Sequence, residues 1–493
     1  CCTQNGIRGG SATVHFPIWH QEIRDILVLK NNKGTEDNRV RKLDYSIQLS
    51  KLFYERFIAN EEISLFSPHD VPGLYDSFGT EDFDELYLKY ENDESISKIK
   101  IGAQELILEL LKERAETGRV YIMNIDHCNS HSSFLDKVEM SNLCQEITLP
   151  TKPIQHIDDK SGEIALCILS AINIGKVRDV SDLEVLCDLS VRSLDELIDF
   201  QGYPVNAAEI ATRARRSLGV GFIGLAHYLA KQGVKYDDPD AWKLVHDLTE
   251  SFQYYLIKSS VNLAKEKGAC EYSDRTKYAQ GILPIDTYKK DVDELVPNDL
   301  KCDWESLREE VKKYGIRNST LSAQMPSESS SVVSNATNGI EPPRGYLSIK
   351  KSKKGPLKQI VPSYGTLKNN YTLLWDMSGN TGYINVVAVM QKFFDQAISG
   401  NWSYNPQHYE NSEVPVSVMA QDLLTTYKYG WKTSYYQNTY DVKTDEVQEP
   451  AHPIGWHDNV EEVGIQGRTK TDLNSLVDEI MNSEEEACES CAI

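Results

Sequence analysis

The sequence predicts an α/β fold built on a parallel sheet or a barrel. Two observations support this: helical and β-rich patterns alternate along the chain, and most of it forms one continuous unit without linkers or repeats. Apolar residues recur at helical spacing in Glu105–Glu113, Asp195–Phe200 and Ala241–Ala264. Short β-rich runs occur at Arg119–Ile125, Ile164–Ser170 and Thr433–Tyr436.

The composition is that of an ordinary globular protein, because 40% of the 493 residues are hydrophobic and 26% are charged. No apolar run approaches the roughly 18 residues that a membrane span needs, so we expect no membrane contact. The net charge of −22 argues against broad binding to a nucleic-acid backbone but leaves room for a compact nucleotide pocket. Ten scattered cysteines and the absence of a secretion signal predict a reducing, cytoplasmic setting.

A change in composition after Thr439 divides the chain into two predicted parts. Residues 1–439 form a unit of catalytic size, and residues 440–493 form a tail. Residues 441–493 contain 14 acidic and three basic side chains, and this balance predicts a flexible, solvated segment. Because Cys1 opens a glycine-rich loop, we expect the start of the fold to lie upstream of it.

The tail ends in a C-x-x-C pair, Cys488 and Cys491. This spacing makes a disulfide easy to close and to reopen, so the pair is interpreted as a shuttle that carries electrons from an external reductant to a buried site. The alternative is an inert exposed pair. A zinc site would need a second ligand pair at matching spacing, and the sequence has no second C-x-x-C.

Asn142, Cys144 and Glu146 alternate along the chain. On an extended strand or loop their amide, thiol and carboxyl groups would point to the same side. A carboxylate can take a proton from a substrate hydroxyl, and an amide can bind the same substrate. The alternative is a buried structural cysteine. For Cys167, in an apolar β-like run, the residues alone indicate core packing.

Three further features are ambiguous from the residues alone. The hydroxyl-rich segment around Pro326 either opens a helix and binds an anion or is a solvated loop. Tyr435 and Tyr436 are adjacent aromatics of the kind usually found in cores or interfaces. The glycines of GVGFIG match the string of a dinucleotide motif, but no buried strand precedes them. We therefore predict close packing of a helix against a sheet there. The glycines of this segment are Gly219, Gly221 and Gly224. A dinucleotide site at these glycines would instead indicate a nicotinamide-dependent dehydrogenase, which is the rival hypothesis.

Together these motifs, in this order, resemble the large (alpha) subunits of class I ribonucleotide reductases, specifically the aerobic class Ia form. The resemblance extends from residue 1 to about residue 439 and includes further stretches such as Leu65–Tyr75, Gly281–Lys290 and Asn335–Tyr346. It implies the C-terminal part of a ten-stranded α/β barrel. A central finger loop of that barrel would carry Cys144.

The resemblance also implies roles for the site residues. Cys144 would become a thiyl radical that removes the 3′ hydrogen of a ribonucleoside diphosphate. Glu146 would take the 3′-hydroxyl proton, and Asn142 would hydrogen-bond the substrate. Cys167 would be half of the redox pair that supplies two electrons as the 2′-hydroxyl leaves as water.

Two segments would bind nucleotides by the same resemblance. Gln4 and Arg8 belong to a loop that senses the specificity effector and contacts the substrate base. A turn would hold the substrate diphosphate, and its residues are Pro326, Ser327, Glu328, Ser329 and Ser330.

The tyrosine pair would relay a radical to Cys144 from a separate beta subunit that contains a di-metal tyrosyl radical. No metal or other cofactor is expected in this chain itself. Members of the family that use adenosylcobalamin need no such relay, so the pair disfavours that class. Cys488 and Cys491 would reduce the active-site disulfide and be reduced in turn by thioredoxin or glutaredoxin.

The chain departs from the family pattern at its front. The redox partner of Cys167, the ATP-binding cone, the main residues that bind ATP and deoxynucleotide effectors, and the first barrel strands would all precede Cys1. A fragment, half of a split gene and a product of splicing all fit this departure. We therefore expect an N-terminal alpha portion as a partner, and an alpha dimer. A non-catalytic interaction subunit is the remaining alternative.

Overall fold

The computed structural model describes residues 3–4, 8–166, 168–352 and 355–441. Its strands are β1 (Thr3–Gln4), β2 (Arg8–Gly9), β3 (Thr13–Pro17), β4 (Asp44–Leu49), β5 (Glu62–Leu65), β6 (Ile99–Gly102), β7 (Val120–Asn124), β8 (Leu169–Asn173), β9 (Gly219–Ile223), β10 (Leu347–Ser352), β11 (Gly355–Ile360), β12 (Gly400–Tyr404) and β13 (Thr433–Thr439). The N-terminal helices are α1 (Ile23–Leu27), α2 (Lys51–Ala59), α3 (Leu74–Ser77), α4 (Phe83–Asn92), α5 (Ala103–Thr117), α6 (Ile125–Ser130), α7 (Asp182–Phe200) and α8 (Asn206–Arg215). The C-terminal helices are α9 (Leu225–Gln232), α10 (Pro239–Lys267), α11 (Pro284–Thr287), α12 (Trp304–Tyr314), α13 (Glu328–Val333), α14 (Tyr364–Leu367), α15 (Thr381–Gln391) and α16 (Val416–Lys428).

The central sheet has the strand order β12-β13-β7-β4-β3. Strands β3, β4 and β7 are parallel to one another, β12 and β13 are parallel, and β13 meets β7 antiparallel. Every residue of β4 and β7 is buried. Burial on both faces is typical of parallel strands covered by helices, which agrees with the predicted α/β class.

A second parallel pair, β8 and β9, continues this sheet through two isolated bridges. Val220 of β9 bridges Ser322, and Gln324 bridges Ile398, both in parallel orientation. The extended segment 320–325 therefore lies between β9 and the residues that lead into β12. Through these bridges the strands follow one another in a single arc from β8 to β3.

The predicted helices are confirmed within α5, α7 and α10. Helix α10 begins where Asp238 accepts a hydrogen bond from the Asp240 backbone N–H, with Pro239 in the first turn. Helix α5 ends at Gly118, whose φ of 66° is left-handed. The described part of the chain has no helix with the length and apolarity of a bilayer span.

Two of the three predicted β-rich runs coincide with strands, β7 and β13. The third is displaced, because β8 begins only at Leu169, and residues 164–166 and 168 are not in a strand. The sequence prediction rested only on the apolar, β-like character of this run. The start of the strand depends instead on where β9 begins to pair with it, at Gly219.

The GVGFIG glycines contradict the dinucleotide hypothesis. Gly219 and Gly221 lie within β9 itself, although that motif needs its glycines in the turn after a strand. A Cβ atom on Gly221 would lie 2.6 Å from the Ala323 carbonyl oxygen. Close packing is the reason for glycine, as expected. For Gly219 and Gly221 the packing partner is the extended segment 320–325. Gly224 precedes helix α9, and a Cβ atom there would lie 2.7 Å from the side-chain oxygen of Asn173 at the end of β8.

We expect Gly221→Ala to lower the free energy of unfolding by about 2 kcal/mol, because the added methyl group overpacks against backbone that cannot move aside. Gly202→Ala is the matched control, since nothing lies within 4 Å of the methyl group it adds. Chemical unfolding of both variants measures the difference. Equal stability of the two variants would contradict the packing account.

Candidate functional site

The segment that contains Cys144 lies against the strands of the arc and forms a finger loop, residues 139–149. The Thr13 hydroxyl of β3 donates to the Leu143 carbonyl at 3.2 Å. The Ser46 hydroxyl of β4 donates to the Gln145 side-chain oxygen at 2.8 Å, and the Thr433 hydroxyl of β13 donates to the Gln145 carbonyl at 2.8 Å. Three strands that are far apart in sequence therefore fix the tip of this loop.

The tip is a turn and not an extended strand. Gln145 has a left-handed φ of 71°, and its backbone N–H donates to the Asn142 carbonyl at 3.2 Å. The Asn142 side-chain oxygen accepts from the Ile147 backbone N–H at 3.1 Å. Asn142, Cys144 and Glu146 therefore come together because the chain folds back on itself. The expected extended geometry, with side chains alternating along it, was wrong.

Glu146 is only 2% exposed. The Ser399 hydroxyl lies 3.2 Å from its Oε2 and also within hydrogen-bond distance of the Cys144 carbonyl. Burial raises the pKa of Glu146, and the hydrogen bonds from Asn142 and Ser399 partly oppose that rise. A buried carboxyl group with a raised pKa is suited to accept and return a proton.

Cys144 is half-buried, and the Tyr435 hydroxyl donates to its Sγ at 3.5 Å. The rings of Tyr435 and Tyr436 lie 3.8 Å apart between centroids. The ring of Tyr121, on β7, lies 4.8 Å from Tyr435 and 5.8 Å from Tyr436. An uninterrupted aromatic contact therefore leads from Tyr436 through Tyr435 to the sulfur.

Arg119 controls the electrostatic environment of Tyr436. Its Nη1 donates to the Tyr436 hydroxyl at 2.9 Å, and its guanidinium lies 4.3 Å from the ring centroid. Burial raises the pKa of Tyr435 and of Tyr436, although Arg119 opposes the rise at Tyr436. Both phenols therefore keep their protons at neutral pH.

The predicted diphosphate turn follows directly on the extended segment 320–325. Gln324 donates its backbone N–H to the Ala397 carbonyl at 3.1 Å, and Ala397 donates its own N–H to the Glu146 carbonyl at 3.0 Å. Helix α13 begins at Glu328, within the hydroxyl-rich run. The Ser327 hydroxyl is bonded to the Met325 carbonyl at 3.1 Å.

The remaining predicted residues lie in the N-terminal hairpin or outside the described residues. Gln4 and Arg8 pair in the β1–β2 hairpin, where only the backbone is described. Cys167, Cys488 and Cys491 lie outside the described residues, as does the tail from residue 442 onward. Across the described ranges, no group of three or more His, Cys, Asp and Glu side chains has the geometry to hold a metal ion.

The sequence analysis missed Ser399, Arg119 and Tyr121. The period of two in the predicted strand places Arg119 and Tyr121 on one face, so their proximity could have been predicted. Ser399 is separated from Glu146 by 253 positions and belongs to no motif. Only the pairing of its segment with the finger loop reveals its role.

Fold and site together define an α/β barrel protein with a cysteine turn in contact with its strands. The sequence model described as "Ribonucleotide reductase, barrel domain" matches residues 1–437, and the chain belongs to this family. The resemblance to ribonucleotide reductase alpha subunits and the predicted barrel class are confirmed.

Individual relatives support the same assignment. The chain is 59% identical, over 91% of its length, to the ribonucleoside-diphosphate reductase subunit alpha of Haemophilus influenzae. It is 55% identical over 90% to the ribonucleoside-diphosphate reductase 1 subunit alpha of Escherichia coli K12, and 46% identical over 89% to the subunit alpha of Enterobacteria phage T4. It spans about 60% of the length of these relatives.

We expect Glu146→Gln to stabilise the folded protein at pH 8 and to lose that advantage as the pH falls toward 4. The folded protein binds the Glu146 proton more tightly than the unfolded chain does, so the native carboxyl group costs stability once the pH exceeds its unfolded pKa. Unfolding measured at several pH values tests this. Glu81→Gln, at an exposed position, is the control and should show no such pH trend.

Proposed function

We propose that this chain is the catalytic part of a class I ribonucleoside-diphosphate reductase alpha subunit, which converts ribonucleoside diphosphates into 2′-deoxyribonucleoside diphosphates for DNA synthesis. The observation that carries the proposal is the 3.5 Å contact between the Tyr435 hydroxyl and the Cys144 sulfur, together with the 3.8 Å separation between the ring centroids of Tyr435 and Tyr436. The names of the relatives point to the same activity. Because the chain spans about 60% of their length, the proposal includes an N-terminal alpha portion in the complete enzyme. It also includes assembly of that enzyme as an alpha dimer.

The radical comes from a beta subunit that contains a di-metal tyrosyl radical. Oxidation of each phenol releases one electron and one proton, because both phenols are protonated at rest. The Tyr435 phenoxyl oxygen then takes the hydrogen of the Cys144 thiol, which breaks the S–H bond and forms an O–H bond. The product is a thiyl radical at the finger tip.

The thiyl radical removes the 3′ hydrogen of the substrate, a bond that no ordinary side-chain base can break. Glu146 accepts the proton of the 3′-hydroxyl, a role that its raised pKa and its proximity to Cys144 support. Asn142 hydrogen-bonds the substrate from the same turn. The 2′-hydroxyl takes a proton from the thiol pair that includes Cys167 and leaves as water.

Two electrons for this reduction come from Cys167 and a partner cysteine in the N-terminal portion, which together close a disulfide. Cys488 and Cys491 reduce that disulfide by thiol exchange and are reduced in turn by thioredoxin or glutaredoxin. This cycle requires a reducing, cytoplasmic setting.

Nucleotide binding is divided between two regions. Pro326, Ser327, Glu328, Ser329 and Ser330 bind the substrate diphosphate, a role supported by their position next to the segment that contacts Glu146 through Ala397. Gln4 and Arg8 contact the substrate base and respond to the specificity effector. ATP and deoxynucleotide effectors bind the N-terminal portion.

The Tyr435–Tyr436 pair distinguishes this function from its rivals. A reductase dependent on adenosylcobalamin has no use for a chain of phenols that ends on the cysteine. A dehydrogenase would need the GVGFIG glycines in a turn, but the first two are in β9. A non-catalytic subunit would have no reason to align a cysteine, a buried acid and two tyrosines.

We expect Cys144→Ala, in the full alpha protein assembled with its beta subunit, to lower turnover of ribonucleoside diphosphates to background. Tyr435→Phe should do the same, because a ring without a hydroxyl cannot accept the thiol hydrogen. Cys302→Ala is the control, since this half-buried cysteine bonds Glu250 through its backbone, away from the finger loop. Full activity of Cys144→Ala would refute the radical role.

The double variant Cys488→Ser/Cys491→Ser should lose turnover when thioredoxin is the reductant and keep most of it with a small dithiol. A small dithiol can enter the site directly, whereas thioredoxin is too large and depends on the tail. Steady-state rates with each reductant measure the effect. Equal loss with both reductants would count against a shuttle.

A further inference from the structure

Arg114, near the end of α5, is completely buried beneath the tyrosine pair. Its Nη1 donates to the carbonyls of Val120 at 2.6 Å and Tyr435 at 2.7 Å. Its Nη2 donates to the Tyr436 carbonyl at 3.3 Å. One side chain therefore joins the backbones of β7 and of both tyrosines.

The charge of Arg114 has no acidic partner among the described residues. Its guanidinium lies instead 4.6 Å from the ring centroid of Trp402, which is itself fully buried. Burial lowers the pKa of Arg114 to about 10, so the group remains a cation at neutral pH. A buried cation without a counter-ion costs free energy, and this cost calls for an explanation.

Other buried arginines of this chain are paired conventionally. Arg215 forms ion pairs with Asp136 and Glu163, and Arg216 forms ion pairs with Asp195. Arg114 is different because carbonyl oxygens and an aromatic face replace the carboxylate. Two of its hydrogen bonds go to the backbone carbonyls of Tyr435 and Tyr436.

We infer that Arg114 is a positioning residue for radical transfer through Tyr435 and Tyr436. It bonds the backbone carbonyls of both tyrosines and thereby holds in place the strand that carries their rings. This inference rests on the proposed function and assigns that function an additional residue.

The fixed carbonyls have a consequence for radical transfer. Transfer between the two phenols depends on the distance between their rings, and the centroids of the Tyr435 and Tyr436 rings lie 3.8 Å apart. Because Arg114 bonds the carbonyls of both residues, it limits the backbone movement that would separate the two rings.

The test compares Arg114→Met, Arg114→Lys and the control Arg308→Met in the full alpha protein with its beta subunit. Arg308 lies on α12 and bonds Asp286 and one backbone carbonyl, so Arg308→Met also removes a guanidinium from an ion pair and a carbonyl. We expect Arg114→Met to lower kcat at least tenfold with an unchanged KM for the ribonucleoside diphosphate. Arg114→Lys, which keeps the charge and loses the multiple bonds, should be intermediate. Arg308→Met should leave both constants unchanged.

A second readout is independent of turnover. Tyr436 is replaced by 3-fluorotyrosine and its ¹⁹F resonance is recorded in the alpha protein alone. We expect one sharp line with Arg114 present and a broadened or split line in Arg114→Met. An unchanged line together with an unchanged kcat would overturn the inference, and so would failure of both Arg114 variants to fold, since that would indicate a purely structural role.

These outcomes separate the two hypotheses. If the unsubstituted complex does not reduce ribonucleoside diphosphates, the proposed function fails, while the ¹⁹F line still reports whether Arg114 orders the pair. If the complex is active and Cys144→Ala is not, the proposed function stands, and the Arg114 variants alone decide the inference.

Discussion

The position of the Cys144 sulfur against the Tyr435 hydroxyl determines how the other residues of the site must be arranged. The two residues are 291 positions apart, so a 3.5 Å separation between their side chains requires the barrel strands and the finger loop to be in register. Strands β3, β4 and β13 each donate a hydroxyl hydrogen bond to the tip of the loop. These short polar bonds are strongly directional, which gives the sulfur a defined position that apolar packing alone would not.

Hydrogen bonds also hold the segment before β12 against the finger loop. Ser399 contacts both the Cys144 carbonyl and the Glu146 carboxyl group, and the neighbouring Ala397 bonds the Glu146 backbone. Lys432, next to β13, donates to three successive carbonyls from Phe394 to Gln396. Because almost every buried polar group needs a partner, this network leaves the loop before β12 little freedom. The acid and the thiol are therefore held in a single arrangement.

Much of the fold was predictable from local pattern. Helices α5, α7 and α10 have long amphipathic repeats, and β7 and β13 are short runs rich in β-branched and aromatic residues. The start of β8 was not predictable, because the strand depends on its pairing with β9 and not on its own residues. The predicted conformation of the finger tip was wrong for a related reason. A period of two suggests an extended chain, yet bonds from three strands stabilise a turn with Gln145 in a left-handed conformation.

The α/β class and the family could be predicted from the sequence, and Asn142, Cys144, Glu146, Tyr435 and Tyr436 could be named as candidates, because each of these inferences depends on neighbours in the chain or on motif order. The contacts of Ser399 and Arg114 are evident only in the folded chain. In the sequence, Arg114 stands among charged residues near the end of an amphipathic helix, where an exposed side chain is the ordinary expectation. Its burial depends on the packing of α5 against β13, and its bond to Tyr435 spans 321 positions. Local periodicity contains no information about partners at that distance, because they are set by the register of the strands.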